Sequence, residues 1–225
     1  IDEHPVEAQA FSRERKLAVA RRSYSLLTEK YGLAPGDLIF DPLVFPAASG
    51  DESYLGGAVE TLEGLRLIKR DLPASRTILG VSNVSFGLPA AAREVVNSVF
   101  LYLATQAGLD LAIVNTEGLE RYASIPEDDR RMAEDLLLNR PPVGALEVVD
   151  GLPLAEAPED WREQTPAQRA AVNRLKIARL TERFRGVKHV IQVRPAAHEI
   201  VGRRHHAPSR AGSRHLDHHA INDLA

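Results

Sequence analysis

Two short phrases carry polar side chains where an α/β protein does its chemistry. Phe40-Asp41-Pro42 closes the apolar run Leu38-Ile39-Phe40, and Ser82-Asn83-Val84-Ser85-Phe86 follows the run Thr77-Ile78-Leu79-Gly80-Val81. Each run is short and precedes a long amphipathic stretch, so each phrase is expected at the carboxyl end of a buried strand. In parallel α/β proteins that edge is where ligands bind. A carboxylate there can accept two near-parallel hydrogen bonds from a flat heterocycle, a bidentate charge-assisted pair. A carboxamide there can donate or accept without carrying charge. A third run, Leu111-Ala112-Ile113-Val114, ends on Asn115, and Arg93 opens the stretch after the second phrase. Asp41, Asn83, Asn115 and Arg93 are therefore the candidate ligand-contacting residues. Each has a plainer role open to it: a turn initiator, a loop amide satisfying backbone groups, or a surface ion pair.

The elements that must position these residues follow from apolar spacing. Leu17, Ala20, Tyr24, Leu27 and Tyr31 share one face of a helix over 13–31, with Gly32 as its stop and Pro35 beyond it. A second helix over 53–70 turns Leu55, Val59, Leu62 and Leu65 inward and Glu60, Glu63, Arg66 and Arg70 outward. A third spans 91–107 through Val96, Val99 and Leu103, and a fourth spans 127–139 after Pro126. Strand and helix alternate, which implies a parallel sheet with right-handed crossovers. The strands are expected to be buried on both faces. Only three are convincing, too few for a closed eight-stranded barrel. Residues 141–165 are Pro- and acid-rich and read as a linker. Residues 166–185 return to helix through Ile177, Leu180 and Phe184, within a helical segment assigned to 166–190. Residues 191–225 form an irregular tail that is expected to be poorly ordered; from 198 onward it holds six of the eight histidines.

With 225 residues, 44% of them hydrophobic, and a formal charge of -3, the chain has the composition of a globular protein with a core. It shows no basic footprint for nucleic acid and no run near the roughly 20 apolar residues of a membrane span, and a secretory leader is not expected. There is no cysteine, hence no disulfide and no thiolate metal site. A cytoplasmic location is the expectation. The chain opens on Ile1, so its true start is expected to lie upstream.

The phrases Phe40-Asp41-Pro42 and Gly80-Val81-Ser82-Asn83-Val84-Ser85-Phe86, with Arg93-Glu94, Val99-Phe100-Leu101-Tyr102, Leu111–Asn115 and Asp135-Leu136-Leu137-Leu138-Asn139-Arg140, make residues 1–140 resemble the pterin-binding (methyltetrahydrofolate) domain of cobalamin-dependent methionine synthases. The resemblance implies a partial (β/α)8 TIM barrel. The runs at 38–40, 77–81 and 111–114 would be its sixth, seventh and eighth strands, and Asp2 and Glu3 would sit just past the fifth. It implies a methyltransferase reaction in which the N5-methyl of methyltetrahydrofolate passes to cob(I)alamin. Asn83 would act on N5, Asp41 would take the pterin N3–H and 2-amino group, and Asn115 and Arg93 would line the pocket. The cobalamin module, expected in cis, and the zinc-binding homocysteine module would lie outside this chain. His219-Ala220-Ile221-Asn222-Asp223-Leu224 resembles the start of the helical cap before the cobalamin module, while residues 186–218 depart from the family.

Three other readings stand beside this one. A methyltetrahydrofolate–corrinoid protein methyltransferase would use the same site. Dihydropteroate synthases share the barrel, but Leu43-Val44-Phe45-Pro46 after Asp41-Pro42, and Asn83 after Ser82, do not supply their Gly-rich and Arg-Lys elements. The chain alone could also be an inactive truncated fragment. His205, His206, His215, His218 and His219 could chelate a metal adventitiously, but no HExxH is present and no native metal site is expected. The composition of the tail fits translation in a shifted reading frame.

Overall fold

In the computed structural model, the described residues are 9–141, 148–149, 152–153, 158 and 160–187. Asp2, Glu3, the histidine-rich tail and most of the segment assigned as linker lie outside them, as do all eight histidines. Three parallel strands form one sheet in the order β1 (Ile39–Phe40), β2 (Arg76–Gly80), β3 (Leu111–Ile113). Around them run α1 (Arg13–Ser25), α2 (Gly57–Asp71), α3 (Ala90–Gln106), α4 (Glu127–Leu137) and α5 (Pro166–Arg183). The alternation expected from apolar spacing is therefore present.

The helix ends carry their own signals. Ser12 accepts from Arg15 N at 3.2 Å to open α1. Thr165 and Gln168 close a reciprocal capping box at α5. Three acidic residues, Glu127, Asp128 and Asp129, fill the first turn of α4, where the helix dipole favours negative charge. After Ser25, α1 relaxes into a π-type turn, Leu26–Lys30, which ends at Gly32 with φ +69°.

The main core lies on the helix side of the sheet. Leu62 and Leu65 of α2, Leu79 of β2, Val95, Val96, Val99 and Phe100 of α3, and Leu137 of α4 are all essentially inaccessible. Leu180 of α5 and Phe184 at its C-cap join the same cluster, so the helix after the acidic stretch packs back onto α4. A smaller cluster of Leu17, Ala20, Ile68 and Leu72 joins α1 to α2. Asp110 fixes the amino-terminal edge of the sheet. It accepts from Thr77 N at 2.8 Å and from Lys69 Nζ at 2.9 Å. Burial works against its charge, but the Lys69 and Thr77 bonds outweigh that and hold its carboxyl below the ordinary range.

Four expectations need correction. The strands are not buried on both faces: Ile39 is 49% and Ile113 64% exposed. The register sets Arg76 beside Ile39, Ile78 beside Leu111 and Gly80 beside Ile113, so these residues share the face opposite the helices, and no described element covers it. Glu60 faces inward, not outward, and is 4% exposed. Arg13 explains it: its guanidinium and backbone N–H converge on that carboxylate at 2.7–3.1 Å, with Arg162 at 3.5 Å. Burial opposes the charge of Glu60, but Arg13 outweighs it and the carboxyl titrates below its usual range. Tyr31 lies beyond the regular helix and is exposed. Within the segment read as linker, Val148–Val149 and Leu152–Pro153 pair as a short antiparallel ladder. The intervening Asp150-Gly151 is the hairpin signal that could have found it.

The segment after that ladder is tied down through Trp161. Gly56 has φ +79°, and a Cβ there would meet the Trp161 ring at 2.6–2.8 Å, while Arg169 lies 5.6 Å from the ring centroid. Gly56→Ala is therefore expected to expel the indole and to destabilise by about 1–3 kcal/mol. Trp161 is the chain's sole tryptophan, so fluorescence reads it directly. A red-shifted emission is expected, and an unchanged spectrum would refute the contact.

Candidate functional site

The site is built from two loops at the carboxyl edge of the sheet, Asp41–Ala48 after β1 and the 3-10 turn Val81–Ser85 after β2. Asp41 is exposed, and its Oδ1 accepts from Leu43 N at 2.9 Å, closing an Asx turn. Leu43, which ends this turn, has φ +66°, a conformation that non-glycine residues rarely adopt. Three carbonyls of this loop are gathered by side chains from elsewhere. Lys16 Nζ donates to Pro42 O at 2.5 Å and to Leu43 O at 3.2 Å. Thr61 Oγ1 donates to Leu43 O at 3.0 Å. Asn83 Nδ2 donates to Val44 O at 2.6 Å.

That last bond joins the two loops. Ala47 N donating to Val84 O at 2.8 Å adds a second tie. Asn83 is exposed like Asp41. With one amide hydrogen committed to Val44, the carboxamide keeps its second N–H and its Oδ1 for a ligand. The carboxylate and the carboxamide thus stand at the ends of neighbouring parallel strands on loops bonded to each other.

Arg93 and Asn115 sit on the other flank. Both line a cavity of about 250 Å3 with Ser82, Glu94, Asn97 and Leu119. Arg93 donates to Ser82 O and to Ser85 Oγ, each at 3.1 Å, so it braces the turn that carries Asn83. Asn115 Oδ1 accepts from Glu117 N at 3.2 Å and caps the turn Thr116–Gly118. Asn97 Oδ1, buried against this cavity, has no hydrogen-bond partner among the described residues. The structure therefore groups Asp41 with Asn83 and Arg93 with Asn115, and Ser82-Asn83 is where the two groups meet. Asp41 does not line the Arg93–Asn115 cavity. Among the described residues no group of three His, Cys, Asp or Glu could hold a metal ion.

The sequence matches the family described as pterin binding enzyme over residues 2–115, half of the chain. The chain belongs to the pterin-binding enzymes. Both phrases, from Asp41 to Asn83, and the final Asn115 fall inside that match. Curated relatives agree in kind. A methionine synthase of Mycobacterium tuberculosis is 37% identical over 166 residues, 71% of this chain and 14% of the relative. A methionine synthase of Mycobacterium leprae is 40% identical over 140 residues, 62% of this chain and 11% of the relative. The chain thus spans about one seventh of the length of these relatives or less.

Sequence reasoning missed Lys16 and Thr61. Both were legible as polar residues within apolar faces: Lys16 sits beside Leu17 and one turn before Ala20, and Thr61 beside Leu62. Arg93→Met should free the turn at Ser82–Ser85 and cost about 1–2 kcal/mol, from loss of bonds made by a charged donor. Amide hydrogen exchange should quicken at 84–88 with α4 unaffected, and uniform exchange throughout would deny Arg93 this bracing role.

Proposed function

We propose that this chain forms part of a pterin-binding barrel that holds methyltetrahydrofolate and, in its parent polypeptide, presents the N5-methyl group for transfer to cob(I)alamin. The observation that carries the reading is the Asn83–Val44 bond, which couples the exposed carboxylate and carboxamide at adjacent strand ends. Family membership supplies the ligand class. The methionine synthase relatives supply the reaction, and with it methionine biosynthesis as the process.

The chemistry asked of the chain is modest. Asp41 accepts from the pterin N3–H and 2-amino group and so fixes the plane of the ring. N5 is a tertiary amine, and the tetrahydrofolate it leaves behind is a poor leaving group unless N5 is protonated or strongly hydrogen-bonded. Asn83, with Oδ1 uncommitted, accepts from protonated N5 and stabilises that charge without a proton transfer of its own. Arg93 and Asn115 border the adjoining cavity, where the rest of the folate would lie. Cob(I)alamin supplies the nucleophile that takes the methyl group. The corrinoid would be carried by a module outside the described residues, in cis or on a separate protein.

A second reading concerns the chain by itself. Ile39, Leu111 and Ile113 on the open sheet face, and Phe86 near the rim, are 39–64% exposed. Apolar exposure of this kind marks a surface that another part of a barrel covers. By itself the chain is expected to show no tight folate binding in calorimetry, and micromolar affinity would contradict this reading.

In the parent protein, Asp41→Ala is expected to weaken methyltetrahydrofolate binding about 10- to 100-fold, the loss of a charge-assisted pair. Asn83→Ala should slow methyl transfer at least about tenfold more than it weakens binding, because N5 gains its charge only on the way to the transition state. Unchanged affinity in the first variant, or equal losses of rate and affinity in the second, would overturn these assignments.

A further inference from the structure

Lys16 belongs to the first turns of α1, yet only 2% of it is exposed. Its aliphatic stem lies against Gly64 of α2, where a Cβ would meet Lys16 Cδ at 2.7 Å. Its ammonium stands 4.7 Å from the centroid of the Phe45 ring and points its donors at Pro42 O and Leu43 O. Leu43 O also accepts from Thr61 Oγ1 at 3.0 Å. A small cavity of about 50 Å3 lies between Lys16, Phe40, Asp41, Leu43 and Ile68. A glycine that makes room for the stem, an aromatic ring beside the charge and two carbonyls at its tip form a built pocket for one amine. That pocket sits under the strained turn that presents Asp41.

We propose that Lys16 is a positioning residue of the pterin site, which by gathering Pro42 O and Leu43 O holds the Asp41 turn in the one orientation that lets its carboxylate meet the ligand's paired N–H donors. The inference rests on the role given to Asp41 above. Desolvation lowers the Lys16 amine to about 8, with the carboxylates of Glu60 and Asp41 opposing the shift. The charged groups around it are Glu60 on α2, Asp41 on the loop, and Arg13 and Arg162, which both engage Glu60. Between about pH 8 and the ordinary lysine value of 10.5 the folded chain binds fewer protons than the unfolded one, so this group's contribution to stability rises with pH. Over the same window the amine loses the charge that strengthens its two bonds to the loop. Stability and grip on Asp41 therefore move in opposite directions.

The test uses the parent polypeptide that carries this chain. Methyltetrahydrofolate affinity is measured by calorimetry at about pH 7 and about pH 9, on either side of the Lys16 midpoint. Amide exchange at Leu43 and thermal melting are measured beside it. Lys16→Met should bind about 10- to 100-fold more weakly at the lower pH. Its Leu43 amide should exchange faster, while its Tm moves by less than about 4 °C because a buried charge has also been removed. Lys16→Arg keeps the charge and should recover part of the affinity, the wider guanidinium fitting less well at the two carbonyls. The wild type should lose affinity several-fold between the two pH values and Lys16→Met should not. Gly64→Ala keeps the lysine but crowds its stem; it should weaken binding and quicken Leu43 exchange, with the helix preference of alanine offsetting part of the crowding cost in Tm, and it decides the matter if Lys16→Met does not fold. Wild-type affinity and exchange in both Lys16→Met and Gly64→Ala would overturn the proposal. If the wild type binds no methyltetrahydrofolate, the proposed function fails, and Leu43 exchange still reports whether Lys16 holds the turn.

Discussion

A backbone carbonyl left unpaired in a tight loop is expensive, and the loop after β1 has three of them in a row. Pro42 O, Leu43 O and Val44 O are each met by a side chain from a different element: Lys16 of α1, Thr61 of α2 and Asn83 of the turn after β2. The positive φ of Leu43 persists because these donors and the Asp41 side chain over-determine it. Everything else in the fold serves that convergence. The apolar cluster of Leu17, Ala20, Ile68 and Leu72 sets α1 against α2, so that Lys16 and Thr61 reach the same loop. The parallel register of β1 on β2 brings the two loops to the same edge.

A functional consequence follows from the donor count. Asn83 cannot be described only as a ligand-binding amide, because one of its hydrogens already holds the neighbouring loop. Its structural and chemical duties are joined in one side chain, and the uncommitted oxygen is the part that suits a protonated nitrogen. Arg93 extends the same logic: it braces Ser82 and Ser85 and borders the adjoining cavity at once.

Much of this was legible in the sequence. Helix-period spacing located α1 to α5 to within a few residues, because Leu62, Leu65, Val96, Val99 and Leu180 mark their buried faces without ambiguity. The polar residues that end each strand located Asp41, Asn83 and Asn115. What was hidden was partnership across the chain. Glu60 reads as a solvated charge until Arg13, 47 positions away, is placed on it. The position of Lys16 beside Leu17 hints at burial, but not at the Pro42 and Leu43 carbonyls that its amine meets. The strands were read as doubly buried because an apolar run says that a strand prefers cover, not that cover is present: Ile39 and Ile113 are apolar and still exposed. The pairing of Val148–Val149 with Leu152–Pro153 leaves no period to detect in two-residue strands, so only the Asp150-Gly151 turn signal pointed to it.

The central claim is that the β1 and β2 loops present Asp41 and Asn83 to one planar guest. A crystal structure of the parent protein with methyltetrahydrofolate tests it most directly. The account predicts the Asp41 carboxylate bridging the pterin N3–H and 2-amino group, with Asn83 Oδ1 within hydrogen-bond distance of N5 and Nδ2 still on Val44 O. A pterin seated elsewhere, or one touching only one of the two side chains, would contradict it.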